Sequence, residues 1–345
     1  MTKAWGTYGA DKPLQSLEIE RRELRENDVL IDIKYAGVCH SDIHTARGEW
    51  RDIKYPIVVG HEIAGVVAEV GSNVTKFKVG DRVGVGCLVD SCKECEYCQA
   101  GFEQFCTRGA VGTYASTGYD GEYTQGGYSQ QIVVRDEFVL SIPDGIDLPH
   151  AAPLLCAGIT TYSPLRRYGV GPGKKVAVVG LGGLGHMAVQ LAVAMGAEVT
   201  VFSRTSRKAA DAIKLGAVRN VATNEDEGAF TDNRSSFDVI INTVSAPIDL
   251  TAYLGLLRPF GTMVSVGLPP EALELHARAI VSGNRQYAGS SIGGIPETQE
   301  MLNFCAEHGI GAQIEMISAD QLNKAWDRVV KGDVKFRFVV DINTL

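Results

Sequence analysis

At 345 residues the chain has room for two domains of ordinary size and for substantial cores without covalent staples. Apolar residues at 45% and charged residues at 21% are ordinary for folded domains, which excludes wholesale disorder and fibrous repeats. With 33 Lys and Arg against 41 Asp and Glu the net charge is −8, so nothing favours nucleic acid or another polyanion as a partner.

The opening stretch MTKAWGTYGADKPLQSLEIE lacks a basic start followed by an apolar run, so no secretory leader is expected. Downstream come VLIDIKYAG (29–37), a glycine-interrupted run over 57–70, GDRVGVG (80–86) and YSQQIVVRDEFVLSIP (128–143). Apolar residues alternate within these runs between Gly, Asp and Pro, which predicts an irregular, mainly antiparallel β domain. Among them, Cys92, Cys95, Cys98 and Cys106 follow C-x2-C-x2-C-x7-C in a loop rich in charge, Gly and Gln. Without an export signal, clustered thiols read as metal ligands rather than disulfides. Four thiolates at this spacing suit a closed, structural zinc shell, and they suit an iron–sulfur cluster equally; spacing does not separate the two.

From about residue 157 the texture changes. KKVAVVG, an apolar helical run, EVTVF, SRKAADAIKLGA, FDVIIN and GTMVSVG alternate strand with helix, which predicts a parallel sheet covered on both faces. Residues 176–197 contain no Asp, Glu, Lys or Arg and are long enough for a membrane span. Gly180, Gly182, Gly183, Gly185, His186 and Gly196 break that stretch into strand, turn and helix, so no membrane partner is expected. In VAVVGLGGLGH, Gly180, Gly182 and Gly185 form G-x-G-x-x-G around Gly183 and Leu184, after a β-branched strand and before the helical run. A second strand ends about 20 residues later, which is the context of a dinucleotide's pyrophosphate turn. At the end of that strand an acid would accept from a ribose, but the chain has Ser203 and Arg204, with Arg207 and Lys208 behind. Hydroxyl and cationic donors suit a 2′-phosphate, so NADP(H) is predicted over NAD(H); Arg207 is equally explained as solvated helix charge. After Ile292 a helix PETQEMLNFCAEHG, another near 319–331 and a strand FRFVVD do not continue the alternation.

Three further places carry metal-ligand side chains: VCHSDIH (38–44), GHE (60–62) and LLCAG (154–158). Spacing cannot show that they meet, and each has an ordinary reading as core cysteine or packing histidine. Cys87 and Cys305 lie outside every motif and read as core; His150, His276 and His308 read as solvent or packing residues.

Taken in order, GVCHSDIH, VVGHEIAGVV, VGDRVGVGCLV, the four-cysteine loop, TQGGYSQ, AAPLLCAGITTYSPL, GLGGLGHMAVQLA and FRFVVD resemble the zinc-dependent medium-chain alcohol dehydrogenases. The resemblance is to the cinnamyl alcohol dehydrogenase group and its broad-range NADP-dependent aldehyde reductase relatives, and it spans essentially the whole chain. It implies an α/β protein. A GroES-like catalytic zinc domain would cover 1–156 and 294–345, with a structural zinc lobe at 88–110, and a Rossmann NADP-binding domain would cover 157–293. It implies two zinc ions per chain, the catalytic one on Cys39, His61 and Cys156 and the structural one on Cys92, Cys95, Cys98 and Cys106. Glu62 matches the acid beside the catalytic metal, Asp42 the residue that orients the ligand histidine, and Ser41 and His44 a proton relay through the cofactor ribose. Thr160, Val244 with Ser245, and Arg337 match cofactor-contacting positions, Arg337 at the pyrophosphate, although capping, packing or surface charge explains them too. Trp50 and Tyr114 match regions lining the substrate pocket, where aromatic residues also serve as ordinary packing.

The activity implied is hydride transfer between NADPH and an aldehyde, aromatic, allylic or medium-chain aliphatic, in a cytoplasmic homodimer. The same fold also serves imine or activated C=C reductases and non-catalytic dinucleotide binders. Two departures stand out. RGEWRDIKYP (47–56) differs from the plant cinnamyl enzymes, so lignin-type specificity is not implied, and Asn242 stands where the group usually has Asp.

Overall fold

Two kinds of sheet account for the change of texture along the chain. In the computed structural model, which describes residues 1–345, the chain divides into one unit of 1–159 with 293–345 and a second of 160–292.

The first unit is built around the strand Asp28–Gly37, in which Val29, Ile31 and Ile33 are buried. Its sheet runs Ile314–Ile317, Arg337–Asp341, Asp28–Gly37, Ile63–Val70, Arg82–Val85 and Leu140–Ser141, with Gln131–Arg135 also paired to Asp28–Gly37. Every pairing is antiparallel except that of Ile314–Ile317 with Arg337–Asp341. Two registers matter for function. Val339 lies opposite Gly37, and Ala36 lies opposite Ile63, so Arg337 and the pair His61 and Glu62 arrive where Val38 and Cys39 leave the central strand. Gly37 is needed there, because a Cβ at that position would lie 2.0 Å from a carboxylate oxygen of Glu62.

The predicted run 128–143 is not one strand. Gln131–Arg135 pairs with the central strand and Leu140–Ser141 with Arg82–Val85, and serving two partners requires the corner formed by the 3-10 turn Asp136–Phe138. Within 57–70 only Ile63–Val70 is a strand. Ile57, Val58 and Val59 are fully buried without belonging to one, which is why apolar composition alone overextended the element.

The second unit carries a six-stranded sheet in the order Arg219–Ala222, Glu198–Ser203, Lys175–Val179, Phe237–Asn242, Leu257–Ser265, Gln286–Gly289. All pairings are parallel, and the chain order reverses between Lys175–Val179 and Phe237–Asn242, the switch point of a dinucleotide-binding sheet. Val176, Ala177, Val178 and Val179 are all buried, as a strand covered on both faces requires. Phe202 packs edge-on against Phe237 and Tyr253 at 5.6 and 6.1 Å. Arg219–Ala222 and Gln286–Gly289, four residues each, are too short to show a period in the sequence. The apolar stretch 176–197 becomes a strand, a turn and the helix Gly185–Ala194, and no helix of the chain is long and apolar enough to cross a membrane.

Candidate active site

Cys39 caps the helix His40–Ala46, His61 and Glu62 directly precede the strand Ile63–Val70, and Cys156 ends the 3-10 turn Ala152–Leu155. The fold brings one donor atom from each of Cys39, His61, Glu62 and Cys156 to within 4.8 Å of the others, all four residues being buried. The two sulfurs lie 4.0 Å apart.

Asp42, fully buried in the first turn of the helix, organises this group. Its Oδ2 accepts from the backbone N–H of Cys39 (2.9 Å) and the Tyr128 hydroxyl (2.9 Å). Its Oδ1 accepts from Gly60 N–H (3.2 Å) and lies 3.0 Å from Nδ1 of His61. With Nδ1 committed to a carboxylate, Nε2 is the nitrogen left for a metal. The Tyr114 hydroxyl is 3.1 Å from the same Nδ1, so this residue, expected in the substrate pocket, is buried behind the histidine.

The electrostatics favour a cation. Burial works against protonating His61, but the Asp42 carboxylate prevails and raises its pKa well above the usual histidine value. A hydrogen bond from the Cys156 thiol holds Cys39 well below the ordinary thiol range and pushes Cys156 itself up. Burial pushes Glu62 up to about 8, against the pull of Arg337. Both carboxylate oxygens of Glu62 are buried without a hydrogen bond, and Arg337 Nη2 stands 3.5 Å away while Nη1 donates to the Val38 carbonyl (3.0 Å). A buried carboxylate left this way is costly, and a neighbouring cation relieves it. Two thiolates and an imidazole around a place that a carboxylate overlooks fit a zinc ion with an open position.

Ser41 and His44 share the helix that Cys39 caps. Ser41 Oγ is 3.7 Å from Cys39 Sγ. His44 stacks on Trp50 with centroids 5.0 Å apart, and its Nδ1 is hydrogen-bonded to Glu49. Glu49 is a partner that sequence reading missed; an acid five residues beyond His44 was its only signal. Cys87, expected in the core, is only partly buried and adjoins the cluster, its thiol drawn down by the neighbouring Cys156. Cys305 is fully buried, 3.6 Å from the Met301 sulfur, as expected of a core residue.

The second cluster gathers the sulfurs of Cys92, Cys95, Cys98 and Cys106 within 4.8 Å of one another. Cys95 and Cys98 are 3.4 Å apart and Cys92 and Cys98 3.9 Å, close to the ~3.8 Å edge of a tetrahedron with metal–sulfur bonds of ~2.3 Å. Backbone N–H groups point at sulfur, from Cys92 to Cys106 and from Cys95 to Cys92, both at 3.4 Å. Donors of this kind, from Cys98 and Thr107, bring the Cys95 thiol down to about 5. A single ion enclosed by four thiolates fits these distances.

In the second unit Gly180 has φ +90°, and a Cβ on Gly185 would lie 2.1 Å from the Gly180 carbonyl oxygen. A Cβ on Gly182 would meet nothing within 4 Å, so that glycine keeps open space above the turn, as the approach of a pyrophosphate requires. Gly183 and Leu184 complete the turn before the helix Gly185–Ala194. Lys208 Nζ donates to the Leu181 carbonyl in the turn (3.1 Å), Ser203 Oγ lies 2.8 Å from the Thr205 carbonyl and 2.9 Å from Asn220 Oδ1, and Arg204 is exposed. Glu225, an acid at this end of the sheet, is occupied by the Ser206 N–H (3.1 Å). Asn242 accepts from Val244 N–H (3.1 Å) and donates to Ser265 Oγ (3.2 Å), a pair of roles that suits an amide. Thr160 is buried.

Comparison with known proteins agrees with this geometry. Residues 25–144 match the alcohol dehydrogenase GroES-like domain and residues 183–307 the zinc-binding dehydrogenase family. The chain is 57% identical over 343 residues to NADP-dependent alcohol dehydrogenase C 1 of Mycolicibacterium smegmatis, covering 99% of this chain and 98% of that one. It is 54% identical over 352 residues to the aldehyde reductase YahK of Escherichia coli, covering 99% of each. The crystal structure of CAD from Helicobacter pylori complexed with NADP(H) matches with a TM-score of 0.93 at 44% identity, over 99% of this chain and 98% of that one. Identity of this extent along the entire chain, on a fold that assembles both sets of metal-binding side chains, makes the protein a member of the zinc-dependent medium-chain alcohol dehydrogenases, in the group of the cinnamyl alcohol dehydrogenases and NADP-dependent aldehyde reductases.

Proposed function

We propose that this protein reduces aldehydes with NADPH, reversibly to alcohol oxidation, with Cys39, His61 and Cys156 as catalytic zinc ligands and Cys92, Cys95, Cys98 and Cys106 as structural ones. The observation that carries the reading is the buried set Cys39, His61, Glu62 and Cys156, in which the carboxylate has no hydrogen-bond donor. When bound, zinc supplies a Lewis acid at the carbonyl oxygen and NADPH supplies the hydride. The chain's own residues do the rest. Asp42 holds the imidazole of His61 in one tautomer and orientation. Ser41, beside Cys39, donates the proton that the reduced oxygen requires. His44, with its side chain 31% exposed and Glu49 on Nδ1, exchanges protons with water at the outer end. Arg337 balances the charge of Glu62 from behind and, as the resemblance implies, reaches the cofactor pyrophosphate. Gly180, Gly182, Gly183, Leu184 and Gly185 cradle that pyrophosphate, and Ser203, Arg204 and Lys208 select the 2′-phosphate. Thr160 and Val244 border the cofactor, and Trp50, stacked on His44, borders the substrate.

The catalytic domain in this reading spans 1–156 with 294–345 and the cofactor domain 157–293. A cytoplasmic homodimer belongs to it as well; eight cysteines, all free, suit a reducing compartment, and size-exclusion chromatography with light scattering tests the dimer. An imine or activated C=C reductase needs no open metal position, and a pure dinucleotide binder needs no relay. The test is NADPH oxidation with benzaldehyde before and after dialysis against a chelator. Activity lost on chelation and restored by zinc is expected. Undiminished activity without metal, or a clear preference for NADH, overturns the reading.

A further inference from the structure

The carboxylate of Asp42 is held by four donors. Two are backbone N–H groups, of Cys39 and Gly60, and a third is His61. The fourth is Tyr128, a fully buried residue whose hydroxyl donates to Oδ2 at 2.9 Å. Considerable structure is devoted to keeping that hydroxyl in place. The Tyr128 backbone N–H donates to the Val59 carbonyl (3.0 Å), Gly127 to Gly60 (2.8 Å) and Gly126 to Val58 (2.7 Å), so the segment is laced to the residues that lead into His61. The half-buried Arg21 guanidinium clamps the same segment through Gly126 and Gln131 carbonyls (2.7 and 2.8 Å) and Ser129 Oγ (2.7 Å). Gly60 must lack a side chain, since a Cβ would lie 2.7 Å from the Tyr128 ring.

We infer that Tyr128 is a positioning residue for the ligand histidine, acting through Asp42, and that Arg21 and the backbone bonds to residues 58–60 fix Tyr128 in turn. The inference rests on His61 being a zinc ligand. The phenol hydrogen of Tyr128 is committed to Asp42 by its 2.9 Å hydrogen bond to Oδ2. Cys39 N–H and Tyr128 then saturate Oδ2, which leaves Oδ1 turned towards His61. Removing the hydroxyl frees the carboxylate to rotate and loosens the imidazole it holds.

The test is Tyr128→Phe in the zinc-loaded holoenzyme, read as zinc release into a chromogenic chelator, with His61→Ala identifying the phase that belongs to the Cys39 site. Tyr128→Phe is expected to accelerate that phase about 10- to 100-fold, leave the four-cysteine phase unchanged, and lower kcat without moving KM for NADPH. Arg21→Gln, which unclamps the segment carrying Tyr128, should accelerate the same phase less, and it decides the question alone should Tyr128→Phe not fold. Wild-type release in the folded variants, or equal acceleration of both phases, overturns the inference. Release traces left unaltered by His61→Ala would instead refute the zinc-site reading beneath it.

Discussion

Each of the two clusters of the first unit brings its donor atoms within 4.8 Å of one another, yet they differ in everything that decides what a metal does there. The four-cysteine set comes from one short loop, offers four identical thiols and leaves three of them partly exposed. The other is collected from residues as far apart as Cys39 and Cys156, is buried throughout, and mixes sulfur, nitrogen and a carboxylate that has no hydrogen bond. Four thiolates close a shell, and a closed shell can only hold structure together. Two thiolates and one imidazole leave a place for another oxygen, and Asp42 stands at His61, Ser41 at Cys39 and Arg337 at Glu62, the groups to which the proposed function gives orientation, proton delivery and charge balance. Function therefore follows the supporting residues more than the ligands.

Four substitutions would break or sharpen this contrast, beginning with the largest effect. Cys39→Ala should lower NADPH-dependent benzaldehyde reduction on the order of 10³-fold or more with little change in melting temperature. Cys98→Ala should do the reverse, lowering the melting temperature more than turnover, because its cluster has no neighbour that acts on a substrate. Steady-state kinetics paired with calorimetry checks both, and the opposite pattern would mean that the roles of the clusters are exchanged. His44→Gln should slow turnover about 10²-fold near neutral pH and less at the extremes, where water accepts or supplies the proton directly. An unaltered pH profile counts against the relay. Asp42→Asn should cost about 10- to 100-fold in catalytic zinc retention without disturbing the four-cysteine site, measured as metal per chain after gel filtration. Outside both clusters, Ser203→Asp should shift the ratio of kcat/KM values for NADPH over NADH down by about tenfold while the metal content stays fixed.

How much of this is legible in the sequence follows the same division. The four-cysteine loop can be read directly, because its donors are neighbours along the chain and local spacing controls where they lie. The glycine turn is legible for the same reason, with its strand and helix on either side. Cys39, His61 and Cys156 are legible only through resemblance, since their meeting depends on the registers that set Gly37 beside Val339 and Ala36 beside Ile63. Tyr128 escapes sequence reading because a hydrogen bond made across the fold, here to Asp42, has no period. Tyr128 sits inside a run whose alternation suggests a single strand, whereas the chain there turns back onto residues 58–60 before the strand begins. Residues 57–59 mislead in the same sense, being fully buried but not in a strand.

Anomalous scattering at the zinc edge, from crystals of the purified protein, tests the central claim most directly. Two peaks per chain are expected, one enclosed by Cys39, His61 and Cys156 and one by Cys92, Cys95, Cys98 and Cys106. A single peak confined to the four-cysteine loop, in crystals of protein that still reduces benzaldehyde, would contradict it.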